Sequence, residues 1–288
     1  MLLKKILQPY IIKRILIERL SEPLHLNIIS LFILIFGSYR LKIFFDLILR
    51  QQHAYGVLFA TEKAIKDGCK KLTIIEFGVA NGAGLINISE ICKKLNKIYG
   101  VEYNIFGFDT GVGMPDPLDF RDHPELYKTG DFPMDQDNLK KILPKNCKLV
   151  IGDIKATIPD FLDLDLLLES PIGFVCIDVD YYSSTRDALQ ILLSDSRKYL
   201  DCFPIYFDDI DEYSHNSYCG ELLAIKEFNE TSLNRKIERH NFLSYKRIFK
   251  NAVWINCIFF VHILDSASRN IMRRGKSVVL TNPYFKKS

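Results

Sequence analysis

Five acidic residues stand where apolar runs end: Glu76, Asp109, Asp153, Asp178 and Asp208. Carboxylates tolerate little burial, so their recurrence at the ends of candidate strands calls for a ligand or a counter-charge. The densest group is Ile177–Thr185, IDVDYYSST, with Asp208 and Asp209 following further along the chain. Asp178 and Asp180 would face the same way if the strand ran on through them, because side chains repeat every second residue. Three or four carboxylates brought together repel one another unless protons or a cation neutralise them. A hard divalent ion on oxygen ligands, Mg²⁺ foremost, is the economical solution. The plainer alternative is one aspartate for substrate hydroxyls, with the rest capping helices. The six histidines are dispersed and show no zinc-binding spacing.

The second chemical stretch is Leu72–Leu85, LTIIEFGVANGAGL. Its β-branched opening suits a buried parallel strand. Glu76 then precedes Gly78, Gly82 and Gly84, and a helical pattern follows. Glycines there allow a tight turn and let a ligand lie against backbone, at a helix N-terminus whose N–H groups are unpaired. The spacing, E-x-G-x-x-x-G-x-G, differs from the G-x-G-x-x-G that cradles a dinucleotide pyrophosphate. An ordinary strand–turn–helix with glycines for geometry is the plain reading. Asp109 closes the next strand, where an acid can accept both ribose hydroxyls of an adenosine. Asp153, in Gly-Asp-Ile, closes the third, where such folds contact an adenine amino group, or else it caps a helix.

These residues need a scaffold that gathers strand ends. Helices are expected over Leu24–Gly37, Tyr39–Arg50 and Tyr55–Asp67, the last stopped by Gly68. From there strands and helices alternate. Strands are expected at Leu72–Phe77, Asn104–Asp109, Lys148–Ile151, Ile172–Asp178, Phe203–Phe207 and Trp254–Ile263, and helices near 85–97, 135–142, 184–193 and 221–229. Repeated β–α units predict an α/β, doubly wound, mostly parallel sheet with ligands at the strands' carboxyl ends. Thr110–Pro133 is far longer than an ordinary connection, so it is expected to order over a substrate, the alternative being a merely solvated loop. Its Arg121, Asp122, His123 and Tyr127 suit a hydroxyl-rich one. The domain plan is a helical extension or lid over 1–70, a catalytic domain over 71–270 and a tail over 271–288.

Net charge is only +3 over 288 residues, so nothing marks a general nucleic-acid binder. Residues 1–50 nevertheless carry eight Lys/Arg against three Asp/Glu. Asn27–Gly37 is strongly apolar but about half the ~20 residues needed to span a bilayer. Leu2–Leu20 is a basic amphipathic segment without signal-peptide features. The expectation is a lid or a homo-oligomer surface, with membrane contact peripheral at most. Seven scattered cysteines without a C-x-x-C read as reduced thiols in a cytoplasmic protein.

Taken in order, EFGVANGAG, FGFDTGVGMP, GDI-x-x-TIP, IDVDYYSSTRDAL, YFDDI and GELLAIKEF resemble the macrocin O-methyltransferase family of class I S-adenosylmethionine (SAM) methyltransferases. The likeness runs from about Gln51 to Ile263, and an uncharacterised bacterial branch with RQQHAYG before the first strand is the nearer match. It implies a seven-stranded, Rossmann-like class I fold. It also implies SAM on Glu76, Gly78, Gly82, Gly84, Asp109 and Asp153, and Mg²⁺ on Asp178, Asp208 and Asp209. The acceptor it implies is a hydroxyl of a sugar-type small molecule. Family members set an acid or histidine beside the metal as base. Tyr181 stands at the third position after Asp178 here, which leaves Asp180 for that role. Two other functions stay open: a metal-dependent glycosyltransferase using Asp178-x-Asp180, and a non-catalytic SAM-fold binding protein.

Overall fold

The computed structural model describes residues 15–211, 214–272 and 275. Most of the expected tail over 271–288 and most of the basic segment Leu2–Leu20 lie outside them. A short π-helical segment, Ile15–Arg19, opens the described chain, followed by three α-helices: α1 (Leu24–Phe36), α2 (Tyr39–Phe44) and α3 (Gln51–Asp67). Then come β1 (Lys71–Phe77), α4 (Ala83–Tyr99), β2 (Glu102–Asp109), α5 (Gln136–Ile142) and β3 (Cys147–Ile151). α6 (Ile154–Leu162), α7 (Leu166–Glu169), β4 (Ile172–Ile177), α8 (Tyr182–Ala188) and β5 (Cys202–Phe207) continue the alternation. α9 (Gly220–Thr231), β6 (Arg235–Arg239) and β7 (Ile258–Ile263) complete it.

The strands form one sheet in the order β3-β2-β1-β4-β5-β7-β6. β7 runs antiparallel to both neighbours, and the pairs from β3 to β5 are parallel. This is the doubly wound, mostly parallel, Rossmann-like seven-stranded sheet that was expected. The central strands β1 and β4 are buried almost throughout, as parallel strands covered on both faces must be. Pleating sends alternate residues to opposite layers. On β2, Phe106 and Phe108 pack on Phe161 of α6, whereas a Cβ on the intervening Gly107 would meet Leu85 of α4.

Three differences from the expected elements have local causes. β6 has one apolar residue in RKIER, so no alternation announces it; as an edge strand it pairs only with β7. Its charges suit an edge that must not recruit another chain. Val253–Cys257 is 3₁₀-helical, and β7 starts only at Ile258. α3 belongs to the packed core and not to a separate extension: it buries Ala54, Val57, Leu58, Ala60 and Ala64, and Gly56 is glycine because the Phe174 ring lies where a side chain would.

Arg247 fastens the extension to the far end of the chain. Its guanidinium is buried, donates to Asp46 Oδ1 (2.6 Å) and to the Ile43 carbonyl (2.9 Å), and lies 5.2 Å over the Trp254 ring. All seven cysteines are free thiols, five of them buried.

Candidate active site

A cleft of about 530 Å³ opens where the carboxyl ends of β1, β2, β4 and β5 meet. Backbone bonds hold those ends level: Asp178 N–H donates to Phe77 O (3.0 Å) and Asp208 N–H to Ile177 O (3.0 Å). Of the residues expected to hold the donor, the metal or the base, all but Gly82 line the cleft, whereas Arg121, Asp122, His123 and Tyr127 of the long loop are not among its lining residues. Gly82 (φ +80°) instead begins α4 and faces the Leu139 side chain of α5.

At one end the turn after β1 wraps Glu76. This side chain is 1% exposed, and its Oε2 has no hydrogen-bond partner among the described residues. Gly84 at the start of α4 sits directly on Oε1, so no larger residue fits there. Burial, and then the nearby Asp178 carboxylate, push the Glu76 carboxyl well above its usual range. Arg50 opposes that shift. It is cleft-lining, adopts a left-handed backbone (φ +53°) at the start of α3, and its charge faces Glu76, Asp178 and Asp208. Arg50 was missed as a site residue because nothing local distinguishes it; RQQHAYG was legible only as a family feature.

Asp109 turns out to be largely engaged by backbone. Its Oδ2 accepts from Val79 N–H and Ala80 N–H, both at 2.9 Å, and Oδ1 accepts from Gly111 N–H (2.7 Å). It thereby pins the glycine turn against β2, beside the cleft. Asp153 is the N-cap of α6, accepting from Lys155 N–H (2.7 Å), which was its plain reading.

At the other end Asp178, Asp208 and Asp209 each present a carboxylate oxygen, and these oxygens lie within 4.8 Å of one another. Their surroundings hold them in place. Tyr206 Oη donates to Asp208 Oδ1 (2.6 Å), Asp180 N–H to Asp209 Oδ2 (3.1 Å), and Asp209 N–H to Glu221 Oε2 (3.2 Å). Burial raises Asp178, reinforced by Asp208; burial raises Asp209 likewise, reinforced by Glu221. Glu221 is fully buried, and its Oε1 lacks a partner among the described residues. An all-oxygen, over-acidic set of this kind fits a hard divalent cation.

Asp180 reaches the cleft by a different route from the expected one. β4 stops at Ile177, and Asp180 occupies a left-handed turn (φ +58°), so strand alternation does not place it. Burial raises its carboxyl, opposed by hydrogen bonding from the Tyr127 hydroxyl of the long loop and from Asp209.

The loop over 110–133 does border the cleft, through Thr110, Gly113, Met114, Asp116 and Phe132 among others. Its expected polar set serves mainly to anchor it. Asp122 is fully buried and accepts from Ser183 N–H (2.7 Å), Ser183 Oγ (2.8 Å) and Leu118 N–H (2.8 Å). Arg121 pairs with Asp119 and lies 4.5 Å over the Tyr182 ring. His123 stacks on His215 at 4.4 Å between ring centroids, and burial with the neighbouring His123 lowers His215 to about 4, leaving it neutral near pH 7. Only Tyr127 of the four turns toward a site carboxylate. Asp122→Ala strands three donors, so it should cost roughly 2–4 kcal/mol of stability. Urea denaturation checks this; a loss below about 0.5 kcal/mol would show that the anchor is dispensable.

No protein-family model matches the chain, and no curated protein matches it either. Solved structures do. CalS11, a calicheamicin methyltransferase, is 22% identical over 61% of this chain and 70% of its own, with a TM-score of 0.45. An apo form of CalS11, described as a TDP-rhamnose 3'-O-methyltransferase, aligns at 20% identity over 61% of this chain and 69% of its own, with a TM-score of 0.37. MycE, from the mycinamycin pathway and solved with Mg and SAH, aligns at 11% identity over 67% of this chain and 46% of its own, with a TM-score of 0.34. Matches this distant carry no functional conclusion, which has to come from the side chains in the cleft.

Proposed function

We propose that the chain is a SAM-dependent O-methyltransferase that acts on a hydroxyl of a sugar-type small molecule, with a divalent cation on Asp178, Asp208 and Asp209. One observation carries this reading. A single cleft joins a glycine turn over Glu76, suited to a methionine-like ligand, to three aspartate oxygens within 4.8 Å of one another.

Methyl transfer is a displacement at carbon, so the protein chiefly has to align donor and acceptor and remove one proton. Glu76, Gly78 and Gly84 with the α4 N-terminus would receive the amino-acid end of the donor. Asp109 holds that turn in place, and Asp153 stands at the adenine end. Asp178, Asp208 and Asp209 would hold a divalent cation, which would supply Lewis acidity toward the acceptor hydroxyl. Asp180 would take the proton, and its burial, which raises the carboxyl, makes it a better base than a solvated aspartate. The loop over 110–133 limits water on the acceptor side.

The test is calorimetric titration with SAM and, separately, with a UDP-sugar, followed by transfer of a labelled methyl group to a panel of sugar nucleotides and glycosides. Binding of SAM together with label in a base-stable ether supports the reading. Binding of the UDP-sugar alone would move the chain to the glycosyltransferase reading of Asp178-x-Asp180. SAM binding with no transfer to any hydroxyl would favour a binding protein.

A further inference from the structure

α1 has no counterpart in the chemistry of the cleft, since no described residue before Arg50 lines it. The helix reads LHLNIISLFILIF, without one charged residue in thirteen. Only Ser30 is buried. Leu24, Ile28, Leu31, Phe32, Ile35 and Phe36 are between 60% and 72% exposed. With about 100° between successive residues, the exposed apolar positions from Leu34 round to Ile29 sweep roughly 220° of the circumference. Packing a helix on a protein surface needs an apolar stripe of about 100°. A second copy of this chain, or a groove on another protein, would thus leave much of the arc in water. Acyl chains close around a helix from every free side.

The ends of the helix agree with that occupant. Its base is fixed to the domain: Arg19 donates to the carbonyl oxygens of Phe45 (2.7 Å) and Asp46 (2.9 Å), and Glu22 Oε1 accepts from Asn251 N–H (2.8 Å). The apolar arc therefore projects outward from a rigid attachment. The first fifty residues carry a net charge of +5 on an otherwise acidic chain, with Lys4, Lys5, Lys13 and Arg14 preceding the helix and Lys42 following it, while Arg40 is paired with Glu62. Such flanks complement an anionic lipid surface. Thirteen residues extend only about 20 Å, short of the ~30 Å hydrocarbon core, and among the described residues no helix is long and apolar enough to cross a membrane.

We infer that α1 is a one-leaflet membrane anchor that seats the protein on an anionic bilayer, with the basic flanks at the headgroups. This replaces the lid or oligomer surface expected for this region, and it is independent of what the cleft does.

Flotation of the full-length chain through a density gradient tests it, using phosphatidylcholine vesicles with and without a minority of phosphatidylserine, at low and high salt. The comparison is a Phe32→Glu, Ile35→Glu double variant, whose two positions face solvent so that the fold is unaffected; circular dichroism confirms that. The native chain should float with the anionic vesicles and be only partly released by salt. The double variant should lose on the order of tenfold or more of the bound fraction. A native chain that stays at the bottom with anionic vesicles overturns the inference. So does a lipid-free dimer in light scattering that the double variant splits, because a second copy would then cover the helix.

Discussion

Asp208→Asn is expected to lower methyl transfer by at least on the order of 100-fold, the scale seen when a metal site loses even a supporting group, while SAM binding stays within about twofold. Asparagine preserves the shape of the side chain and can still accept from Tyr206 Oη, which sits 2.6 Å from Asp208 Oδ1. What it removes is a charge from the three-oxygen cluster. The end of the cleft proposed for the donor, around Glu76 and Gly84, is built by β1 and α4, and Asp208 acts on Glu76 only after burial, Asp178 and Arg50. Chelation with EDTA should reproduce the variant, and added Mg²⁺ should restore the native chain but not the variant. Mg²⁺ should also raise the melting temperature of the native protein, because it binds the folded carboxylates and relieves their mutual repulsion. Full turnover in EDTA, with elemental analysis showing no bound metal, would remove the cation from the mechanism and leave a base-only methyltransferase.

The second large effect concerns the backbone. Gly78→Ala should cost about 4 kcal/mol or more, enough to leave little folded protein. Gly78 has φ +82°, and a methyl group there would fall on the carbonyl oxygen of Asp178. That carbonyl belongs to the β1–β4 junction, where Asp178 N–H is tied to Phe77 O, so neither side can yield without parting the two central strands. Gly68→Ala is the control. Gly68 has a similar φ of +78° at the end of α3 but nothing within 4 Å of its Cβ position. It should lose only the left-handed strain, about 1–2 kcal/mol. Equal losses at the two positions, measured by chemical denaturation, would mean that crowding at Gly78 has no energetic weight.

Much of the architecture was legible before any coordinates. β1 was marked by Leu72–Phe77 and β5 by Phe203–Phe207, and both lie inside the observed strands because buried parallel strands are nearly continuous apolar runs. The carboxylates at strand ends were legible for the same reason: an acid next to such a run is conspicuous. β6 was not legible, since an edge strand with RKIER shows no alternation and exists only because β7 offers it a partner.

The roles of individual site residues divide along the same line. Residue type and order sufficed to gather Asp178, Asp180, Asp208 and Asp209 at one sheet edge, the family resemblance singled out Asp178, Asp208 and Asp209 among them, and the structure brings an oxygen of each of those three within 4.8 Å of the others. Asp122 and Asp180 needed the tertiary structure. Asp122 reads as a polar loop residue until Ser183 of α8 is seen closing on it, and Asp180 reaches the cleft through a left-handed turn that no periodicity announces. Arg50 is cleft-lining only because α3 packs on the sheet and points its first turn at Glu76. Local runs and spacings are set by covalent order and are readable from it. Contacts between residues sixty or two hundred positions apart, such as Asp122 with Ser183 or Asp46 with Arg247, come into being only when the layers pack.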